Sequence, residues 1–437
     1  MRVLVTGAYG LIGAACLARL RRDGHVLVGA GRAVGEARRR LPYAQWVEAD
    51  FARLATPAAW RPLLTGIDAV VNCVGVLQDG ARDDTSRVHV AATAALFDAC
   101  RQSGIRRVIH VSAIGAERDG PTAFSRTKAA AEAHLAALDL DWVILRPGLV
   151  LAPAVHGGTA MLRALAAMPL VTPIVGAESR IQVVSIEEVV DTVAYCLAPG
   201  APTKMTCAKV TWDLVHPQVL SLREIVNAIR SWLGFPPRPV VPLPQAAATI
   251  VSAVADVLGW FGWRSPARST ALAQLAHGVV GDPAAWIAAT GIKPKGLHDI
   301  LAAAPASVQD RWFAKLYLIK PVAIAALALF WIATGAFALG PGRGSALSHL
   351  AQAGFAPAFA EFVLVAGSIF DIVLGALLLV RKLARAVLIT MLAVTPGYLL
   401  VGTITAPHLW FDPLGPYTKV IPMLIATMFT LAILDER

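Results

Sequence analysis

Over residues 1–150 short apolar runs alternate with longer stretches of mixed pattern. The runs are "RVLVT" (2–6), "HVLVGAGR" (25–32), "AVVNCVG" (69–75), "RVIHVSA" (107–113) and "DWVILRPG" (141–148). Their length and β-branched content are those of buried strands. Helix-like stretches separate them, among them "LIGAACLARLRRDG" (11–24), "AATAALFDACRQSG" (91–104) and "TKAAAEAHLAAL" (127–138). Such alternation predicts a doubly wound α/β core at 1–153, a parallel sheet with helices on both faces.

The pattern loosens over 154–305. In "LVHPQVLSLREIVNAIRSWLG" (214–234) a strand-end loop precedes a helix begun by Ser221, with Glu224 three residues later as a capping box. The stretch "AAATIVSAVADVLGWFGWRS" (246–265) is apolar with one acid, Asp256, and ends in Trp260, Phe261, Trp263 and Arg264. A transmembrane helix, a buried core helix and an interfacial helix all remain open for it. From 306 onward the pattern changes again. Four apolar stretches, 322–339, 362–380, 386–404 and about 417–434, each approach the ~20 residues that cross a bilayer. They predict an all-α four-helix transmembrane bundle.

Charge sharpens this division. Charged residues make up only 16% of the chain, against about 25% in soluble proteins, and they thin out after about residue 320. Arg311, Lys315 and Lys320 precede the first apolar stretch, and Arg381, Lys382 and Arg385 are expected to fill the loop between the second and third. The other two loops offer Arg343 and, at an edge, Lys419. By the positive-inside rule the chain is expected in the cytoplasmic membrane with both termini in the cytoplasm. The amino terminus, "MRVLVTGAYGLIG", meets glycines at once and reads as a first strand rather than a signal peptide. The net charge of +10 points to anionic headgroups. Nucleic acid is not an expected partner, because no aromatic-basic pattern accompanies the charge. Arg38–Arg40 form a short basic run that also suits a solvated helix face. The five cysteines (Cys16, Cys73, Cys100, Cys196, Cys207) contain no CxxC pair, so no metal site or disulfide framework is expected.

Candidate chemistry begins where the first strand meets Gly7, Gly10 and Gly13. Strand, tight glycine turn and helix form the context in which a backbone cradles a pyrophosphate. The helix N-terminus then supplies N–H groups and a positive dipole end. An NAD-binding fold usually carries an acid at the end of the second strand. Here Arg32 stands there, and a guanidinium suits a 2′-phosphate. NADPH is therefore expected over NADH, although Arg32 directed into solvent is the plainer alternative. Asp50 is placed to meet the adenine amino group. Asp371, within the second apolar stretch, is a functional candidate or a partner for a neighbouring helix's hydroxyl or backbone.

The chain resembles the extended, atypical branch of the short-chain dehydrogenase/reductase superfamily. The residues that carry this are "TGAYGLIG" (6–13), "VNCVG" (71–75), "HVSAIGA" (110–116), "FSRTK" (124–128) and "LRPGLVLAP" (145–153). Within that branch it is similar to the group of the NADPH-binding accessory subunit of respiratory complex I and its bacterial relatives, over about 1–304. The resemblance implies a Rossmann-type fold whose segment 154–305 completes the sheet and adds a small substrate-side subdomain. It implies cofactor contacts from Gly7, Tyr9, Gly10, Leu11, Ile12, Gly13, Gly75, Lys128 and Pro147. It also places Ser112 and Lys128 in a catalytic set whose tyrosine position is Phe124. Phenylalanine cannot donate a proton, so either Lys128 or a relay through Ser112 must serve as acid, or no reaction occurs. Residues 315–437, with "LWFDPLGPYTKVIP" (409–422), resemble DoxX-like membrane domains. Two functions follow as expectations. One is a membrane-anchored NAD(P)H-dependent oxidoreductase acting on a lipid-soluble carbonyl or quinone. The other is a non-catalytic NADPH-binding scaffold or sensor for a membrane complex.

Overall fold

The structure is a computed structural model that describes residues 1–80, 84–198, 208–413 and 415–435. Cys207 falls outside the described residues. Two compact units divide the chain, Met1–Asp256 with Ser265–Arg311, and Val257–Arg264 with Trp312–Arg437.

The first unit is built on a parallel sheet. Its strands are β1 (Arg2–Thr6), β2 (Val26–Gly31), β3 (Gln45–Glu48), β4 (Ala69–Asn72), β5 (Arg107–Val111), β6 (Asp141–Pro147) and β7 (Val210–Leu214), in the spatial order β7-β6-β5-β4-β1-β2-β3. All six neighbouring pairs are parallel. The order reverses between β1 and β4, and a doubly wound sheet opens its ligand crevice at such a switch point. Alternation along β1 shows why the strands read as continuous apolar runs. Val3 and Val5 pack on one face with Cys16, Leu17 and Leu20 of α1 (Leu11–Arg22). Leu4 packs on the other with Val70, and with Leu96 and Phe97 of α2 (Thr93–Gln102). Both faces are dry, so neither tolerates polar alternation.

Three later helices matter below. α3 (Ala123–Ala136) starts at Thr122, whose hydroxyl accepts from Ser125 N. α4 (Ile186–Leu197) and α5 (Leu222–Trp232) both open on full capping boxes, Ser185 with Glu188 and Ser221 with Glu224. Next comes α6 (Gln245–Trp260), followed by α7 (Ser269–His277).

The second unit is helical. α8 (Val308–Leu339), α9 (Arg343–Gln352), α10 (Pro357–Leu378), α11 (Arg381–Thr405) and α12 (Val420–Ala432) make up its described helices of ten residues or more. α8, α10 and α11 are long and apolar enough to cross a membrane. Three expectations need correction. α8 begins 14 residues before the apolar stretch at 322 and runs for 32 residues, about 48 Å at 1.5 Å per residue. That exceeds a ~30 Å hydrocarbon core, and Pro321 interrupts the helix only locally. Arg381, Lys382 and Arg385 are not in a loop but in the first turns of α11, and only residues 379–380 separate it from α10. The fourth stretch yields a helix of 13 residues, about 20 Å, too short to span alone. Pro416 and Gly415 delay its start, and Pro422 lies in its first turn, where a missing N–H is tolerated.

Candidate functional site

The glycine turn lies at the carboxyl end of β1, on the switch point. Gly7 has φ +63°, and a Cβ there would stand 2.8 Å from the Cys73 carbonyl oxygen after β4. Only glycine fits both constraints. Gly10 is the N-cap of α1 and offers no side chain to it, and the first turn holds no acid. Leu11, Ile12 and Gly13 form that first turn, so their backbone N–H groups lie where the helix leaves donors without intrahelical partners. A Cβ on Gly10 would crowd the Gly7 carbonyl oxygen at 3.1 Å, and the tight turn leaves a backbone cradle that suits a pyrophosphate. Tyr9 closes its edge. Its hydroxyl accepts from Arg32 N at 3.3 Å, and its ring lies where a Cβ on Gly31 would be.

Arg32 is exposed at the end of β2. The adjacent segment after β3 is held by Ala49 N donating to Gly31 O at 2.9 Å. Asp50, next along, spends one carboxylate oxygen on Ala52 N at 3.2 Å and is half-buried. The other oxygen faces Arg53 at 3.7 Å. The structure thus gives Asp50 a local capping role that the sequence reading did not assign.

The second half of the site gathers at the ends of β4, β5 and α3. Lys128 is 4% exposed. Its Nζ donates to Val111 O at 3.0 Å and more weakly to Val74 O at 3.4 Å, and a Cβ on Gly75 would stand 3.4 Å from it. Burial lowers the Lys128 pKa to about 8, against the opposing pull of Glu132 and Cys73. Ser112 donates its backbone N–H to Leu145 O at 2.7 Å. Its hydroxyl is buried and has no partner among the described residues. A buried hydroxyl without a partner is costly, and a ligand oxygen would relieve that cost. Pro147 ends β6, where its carbonyl accepts from Ile114 N at 3.3 Å. Phe124 is half-buried on the first turn of α3, with its ring edge-on to His89 at 5.8 Å. Ser125 turns away from the site and donates to the Gly115 carbonyl.

His89 was invisible in the sequence reading. The Thr127 hydroxyl donates to Ala123 O at 2.7 Å, so it accepts from His89 Nδ1–H at 2.9 Å. That leaves Nε2 to accept from Val76 N at 2.9 Å. Burial first, and then the Lys128 charge, push the His89 pKa down to about 2. The ring is a neutral clamp on the β4 loop, not an acid. A second buried network links Thr6, Asn72 and His110, through Thr6 Oγ1 to Asn72 Oδ1 at 2.6 Å and Asn72 Nδ2 to His110 Nδ1 at 3.1 Å. Neither histidine had a local signature. Each takes its role from residues tens of positions away.

In the second unit, Tyr398 OH donates to Asp371 Oδ1 at 3.2 Å. The neighbouring-helix hydroxyl is therefore the partner. The pair borders a cavity of about 190 Å³ that Phe330, Trp331 and Met423 also line.

Comparison with known proteins agrees with both halves. A family model described as NAD(P)H-binding matches residues 7–167, and the DoxX-like family model matches residues 328–428. A ceramide reductase of Caulobacter vibrioides is 26% identical over 266 residues, 58% of this chain and 77% of that protein. A 3-diazoavenalumate denitrifying reductase of a Streptomyces species is 29% identical over 295 residues, 60% of this chain and 88% of that protein. The crystal structure of UDP-glucuronic acid 4-epimerase from Bacillus cereus, in complex with UDP-glucuronic acid and NAD, superimposes with a TM-score of 0.51 at 18% identity. That match covers 72% of this chain and all of the other, and it speaks to the fold alone. The chain therefore joins a Rossmann-like unit that matches an NAD(P)H-binding family model to a helical unit that matches the DoxX-like family model.

Proposed function

We propose that this protein is a membrane-anchored, NADPH-dependent oxidoreductase that reduces a carbonyl on a lipid-soluble molecule. The observation that carries the reading is the buried Lys128 ammonium, bonded to the Val111 carbonyl, together with the hydroxyl of the next residue, Ser112, which is buried and has no partner among the described residues. A dinucleotide held by its pyrophosphate in the cradle of Gly7–Gly13 would supply hydride from its nicotinamide end. The Ser112 hydroxyl hydrogen-bonds the substrate oxygen. Lys128, with a pKa near 8, gives that oxygen a proton through the N–H that the Val111 and Val74 carbonyls leave over. This replaces the tyrosine that Phe124 displaces. Arg32 favours the phosphorylated cofactor by pairing with its 2′-phosphate. Gly75 and Pro147 border the nicotinamide end, and the Asp50 oxygen that faces Arg53 would turn to the adenine amino group. A lipid-soluble substrate is supported by the membrane-associated domain and by the relative named as a ceramide reductase.

The proposed topology has both termini in the cytoplasm. Within the second unit Arg381 Nη2 donates to Leu434 O at 3.1 Å. The α10–α11 connection and the carboxyl end of the chain therefore share one side, the side richest in arginine and lysine.

A second reading draws support from Phe124 itself, which has no titratable group: an NADPH-binding scaffold without turnover. One experiment separates the two. Protein purified in detergent is offered NADPH with a panel of long-chain ketones, aldehydes and quinones. Oxidation of NADPH that Lys128→Ala abolishes supports the oxidoreductase. Tight NADPH binding with no turnover on any acceptor supports the scaffold.

A further inference from the structure

Helix α6 wears its side chains the wrong way round for a protein surface in water. Its buried residues are small: Ala248, Ser252 and Ala255. Its large apolar residues are exposed, Ile250 at 66%, Val254 at 55%, Val257 at 58% and Trp260 at 62%, and Phe261 follows at 49%. At 100° per residue the buried set and the Ile250–Val254–Val257–Phe261 stripe lie on opposite sides of the helix. The one charge of the helix is spent inward. Asp256 Oδ1 accepts from Gln78 Nε2 at 2.7 Å and from Arg268 Nε at 3.0 Å. The outer stripe therefore has no charge, and its area is contiguous in a way that water-facing surfaces avoid.

What lies beyond the helix names its partner. Residues Val257–Arg264 belong to the same compact unit as the membrane-crossing helices. Trp263 Nε1 donates to Leu379 O at 2.6 Å, and Arg381 N donates to Phe261 O at 3.1 Å. The Arg381 guanidinium lies over the Trp263 ring at 5.5 Å. Leu379 and Arg381 mark where the apolar run of α10 stops and the basic residues of α11 begin. That transition is where a span leaves hydrocarbon for headgroups, and aromatic and basic side chains favour that level. We infer that α6 lies in the plane of the membrane, with Ile250, Val254, Val257 and Phe261 buried at the headgroup–acyl boundary of the leaflet that faces Arg381. The partner of this surface is the lipid bilayer itself, not a second copy of the chain or another protein.

This does not depend on the proposed reaction, and its test needs no turnover. The full-length protein is placed in nanodiscs of phosphatidylethanolamine and phosphatidylglycerol doped with a phospholipid bearing a diazirine on its acyl chain. After photolysis, adducts are mapped by mass spectrometry. Adducts are expected at Ile250, Val254, Val257 and Phe261 at levels like those on Phe362 and Ile404, which α10 and α11 expose. The exposed side of α5 should carry none. In an Ile250→Glu, Val254→Glu double variant, labelling of α6 should fall at least tenfold while labelling of α10 persists and NADPH affinity is unchanged. Lipid adducts confined to α8, α10 and α11 would overturn the inference. So would cross-links that join α6 of one copy to another copy.

Discussion

Under the proposed function, a phenylalanine at position 124 leaves Lys128 to serve as the acid. A tyrosine placed there would share a helix face with Lys128, four residues on. In the proposed mechanism Phe124→Tyr restores an acid of suitable pKa and is expected to raise kcat by roughly 10²-fold or more, the usual worth of general acid help. In the natural protein Lys128 must be protonated to act. With its pKa lowered to about 8, kcat should be flat below that pH and fall about tenfold per pH unit above it. Phe124→Tyr should move that falling limb, whereas a purely structural Lys128 would leave the profile without it. In the same proposal, cofactor choice turns on another single side chain, Arg32. Arg32→Glu removes charge-assisted bonds worth about 1.5–3 kcal/mol. It should weaken NADPH roughly 10- to 100-fold while leaving NADH within a few-fold, measured by isothermal titration. The glycine turn was legible because backbone geometry dictates residue type there. His89 was not, because its meaning comes from Val76 and Thr127, and no local pattern marks a histidine for such a clamp.

At the level of elements, the sequence spoke clearly where one residue sets a boundary. Ser221 with Glu224 was readable as a helix start, and the structure has the capping box there. The equivalent box of Ser185 and Glu188 is buried, so its loss costs more. Ser185→Ala leaves Glu188 N–H without its acceptor, with no water to replace it. A loss of about 1–2 kcal/mol is expected. Ser221→Ala, half-exposed, should cost about half as much. Thermal unfolding of the two variants side by side, followed by loss of NADPH protection, checks the ordering. Equal shifts would show that burial does not set the price of these caps. Boundaries were illegible where hydropathy alone had to place them. Apolar content marks where lipid begins, not where hydrogen bonding stops. That is why α8 starts well before the apolar stretch and why three basic residues expected in a loop form the opening turns of α11. α9 was missed because its ten residues carry no buried face to impose a periodicity.

Across the whole molecule, an NAD(P)-binding unit and a set of apolar helices share one chain, and the direction in which the helices run decides whether the site meets its cofactor. Arg311, Lys315 and Lys320 lie before or at the start of the first span, and Arg381, Lys382 and Arg385 begin the third. In the proposed topology only Arg343 and Lys419 mark the opposite side. The side chains of Arg381 and Arg385 reach Leu434 and Asp435, so the carboxyl end returns to the basic side although α12 is only 13 residues long. In the proposed topology the short helix α12, together with the turn before it, makes the last crossing, so that the number of crossings is even. A fluorescent protein that matures only in the cytoplasm, fused after the last residue, should light up. The same reporter inserted between α9 and α10, near Gly354, should stay dark. If Arg381, Lys382 and Arg385 hold the orientation, replacing all three with glutamine should produce a mixed population in which both fusions give partial signal. A dark carboxyl-terminal fusion in the unaltered chain would place the opposite face inward, and the dinucleotide cradle would then lie on the side of the membrane where no NADPH is supplied.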